Sequence, residues 1–259
     1  MSGELLDLAT RAARAAGELL LERAGGPASG IAAKSSRTDL VSDTDRDAEA
    51  LIVGMIARER PADAIVGEEG ADAPGTGAIR WLVDPLDGTI NYLWAIPQWC
   101  VSVAALDEEG PLVGVVHDPS RGETFTALRG GGSRVDDGVV RVGPGAALDE
   151  ALVGTGFSYV PERRARQAAL LPAILPAVRD VRRFGSAAID LAWVACGRLD
   201  GYFERGLNPW DWAAGRLLVA EAGGVVEELP ATAEDPVGCI AAPPALIGPL
   251  RALVDGAAG

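Results

Sequence analysis

The stretch from Trp81 to Asn91 constrains the fold most, because a long apolar run ends there in two carboxylates three residues apart. The apolar run predicts a buried strand, and Pro85 should end its hydrogen-bonded ladder because proline has no backbone N–H. We therefore expect Asp84 at the strand end and Asp87 on the turn that follows. Two carboxylates beside the Gly88-Thr89 backbone suit a hard cation and a phosphate group.

Composition narrows the class of protein. The chain has 259 residues, of which 48% are hydrophobic and 23% charged, and its net charge is -14. This negative charge disfavours a direct nucleic-acid or anionic-membrane surface, and an anionic substrate would need metal ions to reverse the local charge. Three isolated cysteines argue against a disulfide framework or a zinc site. With no signal peptide and no apolar run of membrane-spanning length, a cytoplasmic location is expected.

Hydrophobic periodicity predicts an α+β arrangement in the first half of the chain. Ser42 or Thr44 could cap the second of two predicted helices. The helices are predicted over 4–24 and about 45–60, strands at 31–36, 64–67, 99–106, 112–116 and 124–127, and a loop over 71–78.

Strands and helices alternate in the second half of the chain, which predicts an α/β unit. Because the pattern changes near 141–150, we expect an N-terminal half over 1–142 and a C-terminal half over 143–259. The predicted strands are 151–155, 201–204, 225–228 and 238–241, and the predicted helices are 162–178, 186–196, a helix ending at 222, and 245–254.

The Asp84-Pro-Leu-Asp87-Gly-Thr segment has other interpretations. An EF-hand loop needs acids at alternating positions and a distal glutamate, whereas the spacing here is three. A phosphoaspartyl phosphatase would use Asp-x-Asp, with a spacing of two. An ordinary Asp-Gly turn remains possible for the segment alone. In the same way, Asp43 and Asp45 could serve only as helix caps, and Glu68 could belong to a solvated turn.

Four acidic residues stand at the ends of predicted elements. Carboxylates from separate strand ends can hold two Mg²⁺ ions a few ångströms apart, as in two-metal phosphoryl transfer. The four residues are Glu68, Asp84, Asp87 and Asp211.

In these motifs, taken together, the chain resembles the inositol monophosphatase family of magnesium-dependent, lithium-sensitive phosphatases. The first matching motif is Trp81-Leu-Val-Asp84-Pro-Leu-Asp87-Gly88-Thr89-Ile-Asn91-Tyr92, and the second runs from Trp210-Asp211 to Gly223-Gly224. Two lesser matches, at 34–45 and 67–69, fall in the same order along the chain. The resemblance implies the layered αβαβα sandwich of the inositol monophosphatase and fructose-1,6-bisphosphatase type, commonly as a homodimer.

The resemblance also implies a metal site that holds two or three Mg²⁺ ions. One ion would be held by Glu68, Asp84 and the Leu86 carbonyl. A second would be held by Asp84, Asp87 and Asp211, with Asp84 bridging, and a looser third would share Glu68. Lithium would inhibit by occupying a vacated metal position.

Catalytic and substrate-binding roles follow from the same resemblance. Thr89 and Asp45 would position and deprotonate the attacking water, with Glu68 completing the catalytic set. The Gly88 and Thr89 amides would bind phosphate oxygens. The residues implied to contact the substrate's alcohol part, or to lie beside it, are Gly185, Ser186, Ala187, Glu204 and Asp211.

The rim after the first motif departs from the family pattern. The family often has a His-Arg-Phe-Pro segment there, whereas this chain has Trp94-Ala95-Ile96-Pro97-Gln98-Trp99. This departure leaves the expected metal chemistry intact, but it leaves the identity of the natural substrate undecided. A small-molecule phosphate ester is expected, foremost inositol 1-phosphate. The alternatives are fructose 1,6-bisphosphate, histidinol phosphate, 3′-phosphoadenosine nucleotides, or a non-catalytic role in a transcription or RNA complex.

Overall fold

The computed structural model describes residues 2–26, 30–33 and 40–257, which form helices packed on two main sheets. A 3₁₀ turn lies at Leu148–Glu150. The helices are α1 (Ser2–Arg23), α2 (Asp43–Glu59), α3 (Thr89–Leu93), α4 (Pro161–Ala169), α5 (Leu171–Ile174), α6 (Ala187–Ala195), α7 (Pro209–Glu221) and α8 (Pro244–Ala257).

The large sheet has eight strands in the order β10-β9-β8-β7-β6-β5-β3-β4. All neighbouring pairs are antiparallel except β3 and β5, which run parallel. Its strands are β3 (Ala64–Gly67), β4 (Asp72–Ala73), β5 (Arg80–Asp87), β6 (Cys100–Asp107), β7 (Gly110–Asp118), β8 (Glu123–Leu128), β9 (Gly132–Val135) and β10 (Gly138–Val140). A separate two-stranded ladder joins β1 (Ala32–Ala33) to β2 (Leu40–Val41).

The small sheet has five strands in the order β12-β11-β13-β15-β14. Strand β11 runs parallel to both of its neighbours, whereas β13, β15 and β14 are mutually antiparallel. Its strands are β11 (Leu152–Thr155), β12 (Asp180–Arg182), β13 (Gly201–Arg205), β14 (Val225–Leu229) and β15 (Gly238–Ala242).

Helices and sheets alternate in five layers, so the predicted αβαβα sandwich is confirmed. Helices α1 and α2 share a buried core with one face of the large sheet. Helices α6 and α7 form the middle layer and contribute to a core that reaches both sheets. Helices α5 and α8 pack on the outer face of the small sheet.

The strand β5 shows why the large sheet can be covered on both faces. Trp81 and Val83 belong to the core shared with α1 and α2, whereas Leu82 belongs to the core shared with α6 and α7. Successive side chains of a strand point to opposite faces, so a continuous apolar run is suited to a sheet buried on both sides. The run that ends at Asp84 therefore places this carboxylate at the end of a buried strand segment.

Helix α7 lies very close to strand β7. A Cβ atom on Gly114 would come within 2.8 Å of the Ala214 carbonyl oxygen and within 3.0 Å of its Cα. These are backbone atoms, which cannot rotate away as a flexible side chain can. Glycine at this position thus sets the distance between the large sheet and the helix that carries Asp211.

Three predicted elements differ in the structure. The helix predicted over 162–178 ends at Ala169 and is followed by the short α5, because Pro172 removes a helical N–H and its ring crowds the carbonyl four residues earlier. The loop predicted over 71–78 contains the edge strand β4. The strand predicted to end at Asp84 continues to Asp87, and the proline is accommodated by a register shift between Asp84 and Asp87.

The predicted boundary at 142/143 coincides with the change of sheet. All strands of the large sheet precede it, and all strands of the small sheet follow it. The middle helices bury residues against both sheets. Division into two halves at this position stays a prediction.

Within the described ranges, no helix has the length and apolar character required to cross a membrane.

A matched pair of glycine substitutions tests the close approach of α7 to β7. Gly114→Ala should destabilise the protein by about 1–3 kcal/mol, because the added methyl group forces backbone apart. Gly54→Ala, in an exposed part of α2 with no atom near the added methyl group, should instead stabilise by about 0.5–1 kcal/mol. Urea unfolding of both variants measures the difference. Equal stabilities would show that the close approach is not a constraint.

Candidate active site

The turn after β5 brings the first motif into one compact arrangement. Asp84 is 2% exposed, and its Oδ1 accepts the Leu86 N–H at 3.0 Å. Gly88 has a φ of 97°, in the left-handed region that glycine adopts without strain, and precedes α3. A Cβ on Gly88 would also meet the Gln98 carbonyl oxygen at 2.8 Å. Gly88 thus allows the chain to turn sharply and start a short helix beside Asp84 and Asp87.

Thr89 and Asp45 are brought together from elements 44 residues apart. The Thr89 Oγ1 lies 3.2 Å from Asp45 Oδ1 and 3.0 Å from the Leu86 carbonyl oxygen. Both neighbouring atoms are acceptors, so the hydroxyl proton of Thr89 has a hydrogen-bond partner. A lone pair on Oγ1 is left to accept a hydrogen bond from another donor. The pair has the geometry of a hydroxyl that can receive a proton and is backed by a carboxylate.

Asp45 is also the third residue of a helix capping box. Its Oδ2 accepts the Ser42 N–H at 3.0 Å and the Ser42 hydroxyl at 2.5 Å, which fixes the start of α2. Asp45 is fully buried. Capping and proximity to Thr89 are therefore two properties of one carboxylate, since each uses a different oxygen.

The aspartates of the cleft are each oriented by a backbone N–H. Asp87 Oδ2 accepts the Ala188 N–H at 2.7 Å and the Ser186 hydroxyl at 2.8 Å, both from the start of α6. Asp211 Oδ2 accepts the Asn208 N–H at 2.7 Å within the capping box of α7. Together with the hydrogen bond from the Leu86 N–H to Asp84, these bonds fix one carboxylate oxygen in each of the three aspartates.

The same carboxylates repel one another when buried without a counterion. Burial, followed by repulsion from Glu68 and Asp87, raises the pKa of Asp84 well above its usual range. Burial and repulsion from Glu68 likewise raise the pKa of Asp211. Burial raises the pKa of Asp87 to about 7, although the bonds from Ala188 and Ser186 act in the opposite direction.

Glu68 lies on a turn that a second glutamate holds in place. Glu49 of α2 is 5% exposed, and its carboxylate accepts the Glu69 N–H at 2.7 Å and the Ala71 N–H at 2.9 Å. A Cβ on Gly67 would collide with Glu49 Oε2 at 2.1 Å. Glu49 thus bridges α2 to the turn after β3 and fixes the direction in which Glu68 leaves the strand.

A cleft of about 370 Å³ lies where these elements meet. It extends from the turn after β5 to the surface of β13 and the start of α7. Ser186 is buried against Asp87 and is not among the lining residues. The predicted site residues that line the cleft are Glu68, Asp84, Leu86, Asp87, Gly88, Thr89, Gly185, Ala187, Glu204 and Asp211.

The donors at the cleft fit a hard cation chemically. Carboxylate and carbonyl oxygens are the ligands that Mg²⁺ takes in proteins, and a cation would relieve the repulsion that raises the three aspartate pKa values. Among residues 2–26, 30–33 and 40–257, no group of three His, Cys, Asp or Glu side chains is arranged to hold a metal ion as it stands. The fit therefore concerns donor type and charge, with no coordination geometry.

Sequence reasoning missed several residues at the site. Glu49 follows Asp45 by four residues, so a charge on the buried face of the predicted helix was the available signal. Arg163 and Arg183 line the cleft and Tyr202 lies behind it, but nothing in their local sequence sets them apart. The motif residues Lys34 and Asp39 lie outside the described residues.

The rim segment after α3 exposes two large apolar side chains. Trp94 is 63% and Ile96 is 47% exposed, whereas Trp99 is buried beside Tyr92. The departure from the family pattern thus lies partly at the surface. The single histidine, His117, is buried and hydrogen-bonded to the Glu123 carbonyl oxygen and the Thr124 hydroxyl.

Comparison with known proteins matches this chain to one family throughout. The family model described as "Inositol monophosphatase family" matches residues 2–247. The chain is 44% identical over 229 residues to the protein named Nus factor SuhB of Xylella fastidiosa, covering 87% of this chain and 82% of that protein. It is 47% identical over 189 residues to an inositol-1-monophosphatase of Rhizobium meliloti, covering 72% and 71%.

A solved structure has the same fold. The extragenic suppressor protein suhB of Bartonella henselae superposes with a TM-score of 0.90 at 33% identity, covering 97% of this chain and 98% of that chain. A Thermotoga maritima protein titled IMPase superposes with a TM-score of 0.88 at 32% identity, and 98% of each chain is covered. The whole layered arrangement is therefore common to these proteins.

The raised pKa of Asp87 predicts a pH-dependent stability in metal-free protein. Its pKa is about 7 in the folded chain and about 3.9 when unfolded. Such a carboxyl group favours folding below its unfolded pKa, and this contribution is lost as pH rises through the folded pKa. Asp87→Asn should therefore be more stable than the wild type at pH 8 by about 1 kcal/mol or more, with a smaller difference at pH 5.

Urea unfolding in a chelator at the two pH values measures this effect. Asp149→Asn, at an exposed residue that does not line the cleft, is the control and should shift stability equally at both. A stability difference between the wild type and Asp87→Asn that does not change with pH would contradict the prediction.

Proposed function

The chain belongs to the inositol monophosphatase family, and on that premise we propose that it hydrolyses a sugar or polyol phosphate monoester by attack of water, foremost inositol 1-phosphate. Membership supports a phosphatase, and the family is generally metal-dependent. The observation that carries the proposal is the Thr89–Asp45 pair beside a cleft lined by five carboxylates. A half-buried hydroxyl backed by a buried carboxylate has no structural need to face such a cleft.

Metal binding is assigned to the oxygen donors of the cleft. Glu68, Asp84 and the Leu86 carbonyl would hold one Mg²⁺ ion, and Asp84, Asp87 and Asp211 a second, with room for a third at Glu68. When bound, Mg²⁺ lowers the pKa of water and neutralises charge on phosphate oxygens. Backbone N–H groups that donate to the carboxylates of Asp84, Asp87 and Asp211 would orient these ligands, as hydrogen-bond partners outside the first coordination layer do in metal sites.

The chain's own groups account for proton transfer and orientation. Asp45 Oδ1 accepts the Thr89 hydroxyl, so that Thr89 Oγ1 can accept the proton of the attacking water. The Gly88 and Thr89 N–H groups open α3 and would donate to phosphate oxygens. The water oxygen bonds to phosphorus as the bond to the alcohol oxygen breaks. No phosphoenzyme is expected, because Asp84 is assigned to the metals.

The alcohol part of the ester is assigned to the opposite wall of the cleft. Gly185, Ala187 and Glu204 line that wall, and Ser186 supports it from behind through Asp87. Fructose 1,6-bisphosphate, histidinol phosphate and 3′-phosphoadenosine nucleotides are rival substrates. Lithium inhibition, a homodimer and a cytoplasmic location stay predictions.

A second candidate is a binding role in a transcription complex. Relatives at 44% and 40% identity carry the name Nus factor SuhB, which motivates this alternative. The net charge of -14 favours a protein partner over direct contact with nucleic acid. This role would not require a turned-over substrate.

A substrate panel tests the proposed function. We expect kcat/KM with saturating Mg²⁺ to be highest for inositol 1-phosphate among the four ester classes named above, because Glu204 and the neighbouring backbone offer partners for several hydroxyl groups. A higher value for another ester would move the assignment to that substrate. Inactivity of the metal-replete protein on every ester would favour the transcription-complex role.

Substitution of Thr89 tests the assignment of the water-activating pair. Thr89→Ala removes the hydroxyl and should lower kcat by about 10²–10³-fold, with a much smaller change in the apparent affinity for Mg²⁺. Thr89→Ser keeps the hydroxyl and should retain most of the activity. Steady-state rates over a Mg²⁺ titration separate the two effects. If Thr89→Ala weakened Mg²⁺ binding as strongly as it lowered kcat, Thr89 would be a metal ligand only.

A further inference from the structure

We propose that Tyr202 is a positioning residue for substrate recognition, which holds Glu204 so that its carboxylate accepts a hydrogen bond from a hydroxyl group on the alcohol part of the ester. This inference rests on the proposed function and deepens it. It takes the contact between Glu204 and the alcohol from that function, and it gives a role to the buried side chain of Tyr202, which the proposed chemistry does not use.

Tyr202 and Glu204 form a pair on strand β13. Tyr202 is fully buried, and its hydroxyl donates to Glu204 Oε2 at 2.5 Å. Glu204 is half-buried and lines the cleft. Residues two apart on a strand point to the same face, so the phenol lies behind the carboxylate and supports it from the interior. Because Oε2 of Glu204 is engaged in this way, we assign its Oε1 to the substrate.

Gly156 closes the other side of the carboxylate. A Cβ on Gly156 would lie 1.9 to 2.1 Å from the three atoms of the Glu204 carboxyl group. Gly156 does not have a positive φ, so its backbone conformation is open to other residues. Space for Glu204 is therefore what glycine supplies here, and the carboxylate is held between a phenol and a backbone surface.

Two neighbours of Glu204 favour its ionised form, although its pKa is raised overall because burial is the larger effect. Burial raises the pKa of Glu204, whereas the Tyr202 hydroxyl and the positive charge of Arg183 lower it. An ionised carboxylate only accepts hydrogen bonds. A matching substrate must therefore donate, which a polyol hydroxyl can do and an unsubstituted aromatic ring cannot.

The test compares two phosphate esters in the wild type and in Tyr202→Phe, with Mg²⁺ saturating. Inositol 1-phosphate carries the hydroxyl groups, and phenyl phosphate carries none. Tyr202→Phe should raise KM for inositol 1-phosphate about 3- to 10-fold, because a poorly held carboxylate binds the hydroxyl less well. Its kcat on that ester should change less, and both constants for phenyl phosphate should stay at wild-type values.

Two further variants separate recognition from a general structural defect. Gly156→Ala displaces Glu204 without altering Tyr202 and should reproduce the selective rise in KM. Tyr92→Phe removes another buried phenol hydroxyl, which donates to the Leu20 carbonyl at 2.8 Å, and should leave the ratio of the two KM values unchanged. Thermal unfolding confirms that each variant is folded.

The outcomes distinguish this inference from the proposed function. A wild-type protein that hydrolyses neither ester would overturn the proposed function and the inference with it. A wild type that is active on inositol 1-phosphate, combined with equal losses on both esters in Tyr202→Phe, would overturn the inference alone. A selective rise in KM for both Tyr202→Phe and Gly156→Ala supports it.

Discussion

Repulsion among buried carboxylates is the constraint on which the rest of the structure depends. Asp84, Asp87 and Asp211 come from two regions of the chain, and with Glu68 they line one cleft. Burying like charges without a counterion costs several kcal/mol, so the surrounding protein must fix them against their tendency to separate or take up protons. Backbone N–H groups, two capping boxes and the buried Glu49 provide that restraint.

The middle layer of helices explains how the restraint reaches both sides of the cleft. The start of helix α6 lies beside Asp87 and donates to it, and Asp211 lies in the first turn of helix α7, while both helices bury apolar residues against the two sheets. The start of a helix offers unpaired N–H groups and a positive end of the backbone dipole, which suits a carboxylate. The close approach at Gly114 then sets how near α7 stands to the large sheet. Packing in the core thereby determines how far apart the carboxylates of Asp87 and Asp211 lie.

The layered fold, and which carboxylates line the cleft, could be predicted from sequence because their signals are local. An apolar run that ends in Asp84 and Asp87 identifies a strand end, and the spacing of these residues matches a known family. The position of Thr89 against Asp45 was expected from that resemblance, and local pattern alone favoured only a helix cap for Asp45. The support of Glu204 by Tyr202 could not be predicted, since it depends on the packing of Glu204 against Gly156, which is 48 residues away in sequence. The long helix expected over 162–178 failed because the effect of Pro172 outweighed the apolar periodicity.

Three of the residues assigned to the metals and the glutamate assigned to the alcohol belong to different sheets, and Asp211 lies on helix α7 between those sheets. Glu68, Asp84 and Asp87 belong to strands or turns of the large sheet, whereas Glu204 belongs to strand β13 of the small sheet. Such a division would make metal binding and alcohol recognition separable in evolution. Under the proposed function, replacements on β13 and on the segment around Gly156 would change which alcohol is accepted and would leave the carboxylates of the large sheet intact. A family built in this way can diversify its substrates by drift on one sheet, under strict selection on the other.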